Sequence, residues 1–202
     1  MNNIIESPQS RSLRMVKALN AFDAMDDSKL LADEFRLLAE TGLAEANFYL
    51  GCMYENGNNG LPEDIPLALE QYELAARKIG LLEAYMAQAR LFYHGKGGIE
   101  KDVCKAKNMY EQIKDYNQNP IACFMLGRIY QYGEGVEKDL SKAENLYKMA
   151  IEQGYVYGML NLAVLYAEKK MHFSNLVMRV CAGLQAFQVS RKNPRDVRLR
   201  GG

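Results

Sequence analysis

A unit of about 38 residues recurs along this chain of 202 residues, and this period constrains the fold more than any other feature. The segment Gly42-Leu-Ala-Glu-Ala46 reappears as Gly80-Leu-Leu-Glu-Ala84. Three further series keep nearly the same spacing: Tyr54, Phe92 and Tyr130; Gly57, Gly95 and Gly133; Asp64, Asp102 and Asp139. A fixed period of this length is typical of repeat proteins, in which each unit buries its apolar face only by stacking on its neighbours.

Within each unit the apolar spacing predicts two helices joined by a glycine-containing loop. In the first unit, apolar residues recur every three or four positions over 44–55 and again over 64–78. The loops between the helices read GNNGLPED, GKGGIEKD and GEGVEKD. Their first glycine suits a left-handed helix C-cap, and their closing aspartate suits an N-cap. The sequence therefore predicts an all-α chain of antiparallel helix pairs.

The pattern resembles the Sel-1-like repeat family, which is related to the tetratricopeptide repeats. The unit at 119–154 carries the clearest match, in Ala122, Leu126, Gly127, Tyr130, Gly133, Gly135, Val136, Asp139, Lys142, Ala143, Tyr147, Ala150 and Gly154. The sequence departs from the family pattern at Gln88, where leucine is usual, and at 168–170, where a fourth unit lacks the glycine loop. The resemblance implies a right-handed α-α superhelical solenoid.

The repeats divide the chain into four predicted regions. The spacing of Leu13, Val16, Leu19 and Phe22, followed by a second helix over 28–40, predicts a capping hairpin. The regions are a hairpin at 1–42, repeats over 43–170 (43–80, 81–118, 119–154 and a partial 155–170), a closing helix at 171–190 and a basic tail at 191–202.

Composition argues against several other classes of protein. Lys plus Arg equals Asp plus Glu at 25 each, so nothing points to specific nucleic-acid binding, and no apolar stretch is long enough to span a membrane. The N-terminus lacks the apolar core of a secretion signal, so we expect a cytoplasmic protein with its four cysteines reduced. His94 and His172 lack metal-ligand spacing, and the glycine loops fit neither phosphate-binding motif, so no metal or cofactor is predicted.

The resemblance also implies where a partner binds. In the related repeats the first helix of each unit lines a concave wall, and aromatic and arginine side chains there are the types that anchor partners. The predicted partner-binding residues are Phe48, Arg90, Tyr93, Phe124, Arg128 and Tyr157. Two alternatives remain open: the phenylalanines can instead pack between helices, and the arginines can instead have a structural role.

We therefore expect a non-catalytic scaffold or adaptor that binds another protein or peptide in the groove of the solenoid. One alternative is a small hydrolase using Cys104, Cys52 and His94, and another is a toxin-immunity protein of the same repeat family. The sequence predicts neither the partner nor the oligomeric state.

Overall fold

The computed structural model describes residues 8–24, 29–57, 61–113 and 119–169. Nine α-helices and no β-strand occur in these ranges, which confirms the predicted all-α class for them. The helices are α1 (Pro8–Asp23), α2 (Lys29–Glu40), α3 (Glu45–Asn56), α4 (Ile65–Ile79), α5 (Leu82–His94), α6 (Val103–Gln112), α7 (Pro120–Tyr132), α8 (Leu140–Glu152) and α9 (Tyr157–Glu168). The predicted closing helix at 171–190, the basic tail at 191–202, His172 and Cys181 lie outside the described residues.

The chain forms two compact units, residues 1–101 and residues 102–202. The first contains α1 to α5 and has two apolar clusters. One cluster joins α1, α2 and α3 through residues such as Ala18, Phe35 and Met53, and the other joins α4 and α5 through Tyr72 and Leu91. In the second unit, α7 and α8 form a helix pair and α9 packs against α8. The large buried side chains of that unit include Leu126, Ile129, Tyr147 and Leu162.

In each unit a tyrosine of the second helix lies directly over a glycine of the first helix. A Cβ added to Gly51 would lie 2.5 Å from Cε1 of Tyr72, and one added to Gly127 would lie 2.7 Å from Cε1 of Tyr147. Both tyrosine rings are almost fully buried. Gly51 and Gly127 occupy equivalent positions two repeats apart, and each is therefore a place where the two helices of a pair approach each other closely.

All three loops begin the next helix as the sequence predicts. Two of them end the preceding helix with the predicted left-handed glycine, whereas Gly95 has φ +67° but ψ 94° and lies outside that conformation. Gly57 and Gly133 are in the left-handed conformation at the ends of α3 and α7, and each donates its N–H to a carbonyl four residues earlier. Asp64, Asp102 and Asp139 precede α4, α6 and α8, and each side chain accepts a backbone N–H from the first turn of its helix. These bonds satisfy donors that a helix start would otherwise leave unpaired.

The N-terminal hairpin differs from the prediction in the way its apolar residues face. Leu19 and Phe22 pack toward the core as expected, together with Met15. Leu13 and Val16, which the spacing placed on the same face, are exposed, and so is Leu30 at the start of α2. An apolar spacing of three or four residues can follow either side of a helix, and here α1 carries an apolar strip on two sides.

We predict that Gly51→Ala destabilises the protein by about 1–3 kcal/mol, because the new methyl group overlaps the Tyr72 ring. Urea unfolding followed by circular dichroism measures the change. At a solvent-exposed helix position the same substitution stabilises by up to about 1 kcal/mol, so the sign of the effect separates packing from helix propensity. Gly51→Ala combined with Tyr72→Leu serves as the control, since the smaller side chain leaves room for the methyl group. If the double variant is destabilised by the sum of the losses measured for Gly51→Ala and Tyr72→Leu alone, the methyl group does not overlap the ring.

Candidate partner-binding surface

A buried carboxylate connects three helices of the first unit. Glu55 of α3 is buried and accepts the Tyr72 hydroxyl of α4 at 2.8 Å. Arg90 of α5 donates to both of its oxygens, Nη1 to Oε1 at 2.6 Å and Nη2 to Oε2 at 2.7 Å. Two parallel bonds from one guanidinium fix both distance and orientation. One acidic side chain thus holds the second helix of its own repeat and the first helix of the next.

The electrostatics of this cluster follow from burial and from the arginine. Burial acts to raise the pKa of the Glu55 carboxyl, but the hydrogen bonds and charge of Arg90, together with the Tyr72 hydroxyl, outweigh it and hold that pKa below its usual range. Burial raises the pKa of Tyr72. It also raises the pKa of the Cys52 thiol, which lies 3.5 Å from the Tyr72 hydroxyl oxygen. The cluster therefore consists of one ion pair and two neutral groups near neutral pH.

In the second unit a neutral side chain accepts the hydroxyl of the buried tyrosine. Gln131 of α7 occupies the position of Glu55 and is fully buried, and its Oε1 accepts the Tyr147 hydroxyl of α8 at 2.8 Å. Its Nε2 lies 3.5 Å from Oε2 of Glu168 on α9, and Lys138 binds the other oxygen of that carboxylate. The tyrosine hydroxyl therefore needs an acceptor in both units, but only the first unit uses a charge.

One row of residues on the first helices is not at the surface. Glu55, Tyr93 and Gln131 occupy equivalent positions in three successive repeats, and all three are buried. Glu55 and Gln131 accept the hydroxyls of Tyr72 and Tyr147, and Lys101 lies over the Tyr93 ring. Tyr93 is accordingly not exposed for a partner, although the sequence favoured it as a binding residue.

The other two predicted binding residues of the first unit, Phe48 and Arg90, make contacts within the protein. Phe48 is half-buried, with its ring centroid 5.7 Å from that of Tyr72 and 5.4 Å from that of Tyr49. Arg90, which the sequence suggested as a clamp for a partner's carboxylate, binds the carboxylate of Glu55 within the chain. Both side chains retain some exposed surface, but each has a structural partner.

In the second unit, Phe124 is buried and packs against the rings of Tyr147 and Tyr155, at centroid distances of 6.0 Å and 5.0 Å. The Arg128 guanidinium lies 6.0 Å from the centroid of the Phe124 ring. Tyr157 is half-buried beside Tyr155. The structure thus places Phe124 in the core and leaves Arg128 and Tyr157 partly open to solvent.

Two exposed aliphatic residues of the second unit lie one turn apart on α9. Leu160 is 41% exposed and Val164 is 51% exposed, and Tyr157 precedes them at the same helical spacing. We call these three residues the α9 stripe. Of these three, Tyr157 is the one that the sequence predicted as a partner-binding residue. Nothing in the sequence pattern indicated that the two aliphatic residues would be exposed.

The first unit also contains a cavity of 310 Å³ among α2, α3 and α4. Arg36 and Lys78 contribute positive charge to its lining, and Glu40 contributes negative charge. Arg36 donates to the Tyr54 hydroxyl at 2.9 Å and to Asp33 at 2.6 Å. The mixture of charges selects neither an anion nor a cation.

The match with a family model settles the relationship of this chain to known proteins. The Sel1 repeat model matches residues 44–78, 83–113 and 120–155, just over half of the chain. The chain belongs to the Sel1 repeat family. No curated protein matches the sequence.

Solved structures show the same fold at low sequence identity. A Sel1 repeat protein from Oxalobacter formigenes superposes with a TM-score of 0.73 at 20% identity, over 96% of this chain and 87% of that one. The protein c5321, a protective antigen of uropathogenic Escherichia coli with an SLR fold, gives 0.74 at 20% identity, over 94% of this chain and 43% of that one. Immunity protein Pa5087 from Pseudomonas aeruginosa gives 0.53 at 18% identity, over 89% and 67%. The predicted fold class, an all-α solenoid of helix pairs, is confirmed.

Two further findings concern the described residues alone. None of their helices is both long and apolar enough to cross a membrane. They also contain no group of three or more His, Cys, Asp or Glu side chains that could hold a metal ion.

We predict that Arg90→Met destabilises the protein by about 1–3 kcal/mol at pH 7, because it leaves a buried carboxylate without its cation. The folded-state pKa of Glu55 is lowered, so its stabilising contribution is complete above the unfolded-state value of about 4.3 and is lost as the pH falls through the folded-state value. In Arg90→Met burial is expected to raise that pKa instead. The stability difference between the two proteins should therefore be largest at neutral pH and shrink below about pH 5. Urea unfolding at a series of pH values measures it.

The matched control is Glu55→Gln with Arg90→Met, which reproduces the neutral arrangement of Gln131 and Tyr147. We expect this double variant to regain most of the lost stability at pH 7, since no buried charge remains. A loss in Arg90→Met that is independent of pH, or a double variant as unstable as the single one, would contradict the buried ion pair.

Proposed function

We propose that this chain is a non-catalytic scaffold that holds a partner protein or peptide, with the α9 stripe as the principal contact. The observation that carries the proposal is the exposure of Leu160 and Val164, one turn apart on a helix whose other sides are buried. Exposed apolar rows of this kind favour protein binding, because a partner removes them from water. The family membership supports the same role, since stacked helix pairs present extended surfaces for binding.

Arg128 and Tyr157 fit the edge of such a contact. Both are half-exposed in the second unit, and arginine and tyrosine are enriched where proteins bind one another. In the first unit the corresponding face carries two exposed carboxylates, Glu45 and Glu83, at equivalent positions of α3 and α5. A partner with an apolar segment would suit the second unit.

The cytoplasm suits this role, because Cys52, Cys104 and Cys123 are free thiols and reducing compartments keep thiols free. The solved relatives come from bacteria, which supports a bacterial origin.

The immunity protein among the solved structures suggests a toxin as one kind of partner. That likeness, at 18% identity, shows the fold alone. Nothing in the described residues specifies a toxin in preference to any other protein, so the proposal remains at the level of a protein or peptide partner.

A differential capture experiment tests the proposal. A photo-crosslinking amino acid at position 160 labels whatever contacts the α9 stripe in cells, and mass spectrometry identifies it. We expect the same protein to bind the wild type and to bind Leu160→Asp/Val164→Asp at least ten times more weakly, because two aspartates would have to be buried against it. Ile79→Asp is the matched control, since Ile79 is an exposed apolar residue on a different helix, α4. If every captured protein binds all three forms equally, the α9 stripe is not a binding site.

The hydrolase alternative requires a thiolate, and the structure gives a reason to doubt one. Burial raises the pKa of Cys52, and burial raises the pKa of Cys123 to about 11. Cys104 is exposed, with its sulfur 3.1 Å from the carbonyl oxygen of Gly135. Neither of these two thiols resembles a nucleophile, which needs a lowered pKa.

We predict that Cys52 and Cys123 react with iodoacetamide at pH 7.5 at least ten times more slowly than free cysteine, because little thiolate is present and access is limited. Peptide mass spectrometry of a time course measures each rate, with Cys104 as the exposed internal reference. Rapid alkylation of Cys52 at that pH would return the hydrolase to consideration.

A further inference from the structure

The N-terminal hairpin presents an apolar surface that the proposed function does not use. Among the described residues eight large hydrophobic side chains are exposed, and half of them lie on α1 and α2, at 44% to 77% exposure. A polar outer surface is the usual arrangement at the terminal repeat of a stack. We define the outward face by these four and the two charged residues beside them: Leu13, Val16 and Lys17 of α1, with Leu30, Asp33 and Leu37 of α2.

Helix geometry places all of these residues on one surface. At 3.6 residues per turn, Leu13 and Val16 lie opposite the side of α1 that buries Ala18. Leu30 and Leu37 likewise lie opposite the side of α2 that buries Phe35. The buried sides of both helices pack in one cluster with α3. The outward sides therefore lie together on the surface of the hairpin that is remote from α3.

The hairpin is held rigidly enough to serve as a binding surface. Arg14 of α1 donates to both carboxylate oxygens of Glu34 on α2, Nε to Oε1 at 2.7 Å and Nη2 to Oε2 at 2.8 Å. Arg11 donates to the carbonyl oxygen of Thr41 at 2.6 Å. The Phe22 ring packs edge-on against Tyr49 of α3. A surface fixed before binding loses little conformational entropy when it is covered.

The two helices of the outward face are complementary to each other in shape. Leu13 and Val16 are separated by about 4.5 Å along α1, whereas Leu30 and Leu37 are separated by about 10.5 Å along α2. The spacing of the two α2 leucines therefore leaves room for an apolar side chain of α1 from a second hairpin. Asp33 and Glu34 lie in the middle of that gap, and Glu34 is bound by Arg14 of its own hairpin.

The charged residues of α1 and α2 are also complementary to each other. Lys17 lies beside Val16 on α1 and pairs with no carboxylate among the described residues, and Asp33 lies between the α2 leucines. Asp33 is exposed, and among the described residues its carboxylate is bound by Arg36 of its own helix. A two-fold axis would bring α1 of each copy against α2 of the other, so that Lys17 of each copy meets Asp33 of the other and the interface contains two such pairs.

We propose that the outward face binds the same face of a second copy of this chain, giving a symmetric dimer with four helices at its interface. Two-fold pairing covers the four exposed apolar side chains of each copy at once.

Sedimentation velocity of the full chain from 1 to 200 µM tests the dimer. We expect a concentration-dependent species of twice the 22.9 kDa chain mass. Leu13→Asp/Leu37→Asp should raise the dissociation constant at least about 100-fold, since two apolar contacts per copy are lost. Ile79→Asp and Tyr132→Asp change exposed hydrophobic residues elsewhere and should dimerise like the wild type. Circular dichroism checks that each variant is folded.

A charge exchange tests the pairing of the helices. Lys17→Glu and Asp33→Lys should each weaken self-association, because like charges then meet, whereas an equimolar mixture of the two should form a one-to-one dimer.

Several outcomes overturn the proposal. If the wild type remains monomeric at 200 µM, the proposal is wrong. If a dimer then forms only after deletion of residues 1–7, the chain's own N-terminus is the occupant of the outward face. A dimer that survives Leu13→Asp/Leu37→Asp places the interface elsewhere. Failure of the mixed variants to associate rules out the pairing of α1 with α2.

Discussion

The close approach of a tyrosine ring to a glycine backbone is the contact on which each helix pair depends. Tyr72 covers Gly51 in the first unit, and Tyr147 covers Gly127 in the second. Because the glycine has no side chain, the aromatic ring fills the space between the helices and is buried almost completely. Because each buried ring belongs to a tyrosine, its hydroxyl also needs a hydrogen-bond partner, and this need determines which residues surround it.

The two units meet that requirement with different chemistry. Glu55 accepts the hydroxyl of Tyr72. Because Glu55 is charged and buried it needs a cation, which Arg90 supplies from α5, the first helix of the next repeat. Gln131 accepts the hydroxyl of Tyr147 without a charge. The arginine of the first unit is therefore explained by the acid that it neutralises. This also explains why an arginine on the predicted binding face is occupied within the chain.

The surfaces that remain for other molecules are those that this packing leaves uncovered. Along the first helices, aromatic residues such as Phe124 and Tyr93 are drawn into the core, whereas the aliphatic residues Leu160 and Val164 stay exposed. The N-terminal hairpin shows the same contrast, with Phe22 and Phe35 inside and Leu13 and Leu37 outside. The buried rings contact more than one helix, which holds them inside the protein.

The sequence by itself determined the class of fold, because a period of about 38 residues, loop glycines and capping aspartates are local features that act within one repeat. It also places Gly51 and Gly127 at equivalent positions of two repeats. Which side of a helix is covered was decided only by the tertiary structure. Arg90 appears in the sequence as a free cation, and only the folded chain brings it to Glu55, which is 35 positions away. The exposure of Leu160 and Val164 likewise depends on which neighbour packs against α9, and periodicity within a helix carries no information about that neighbour.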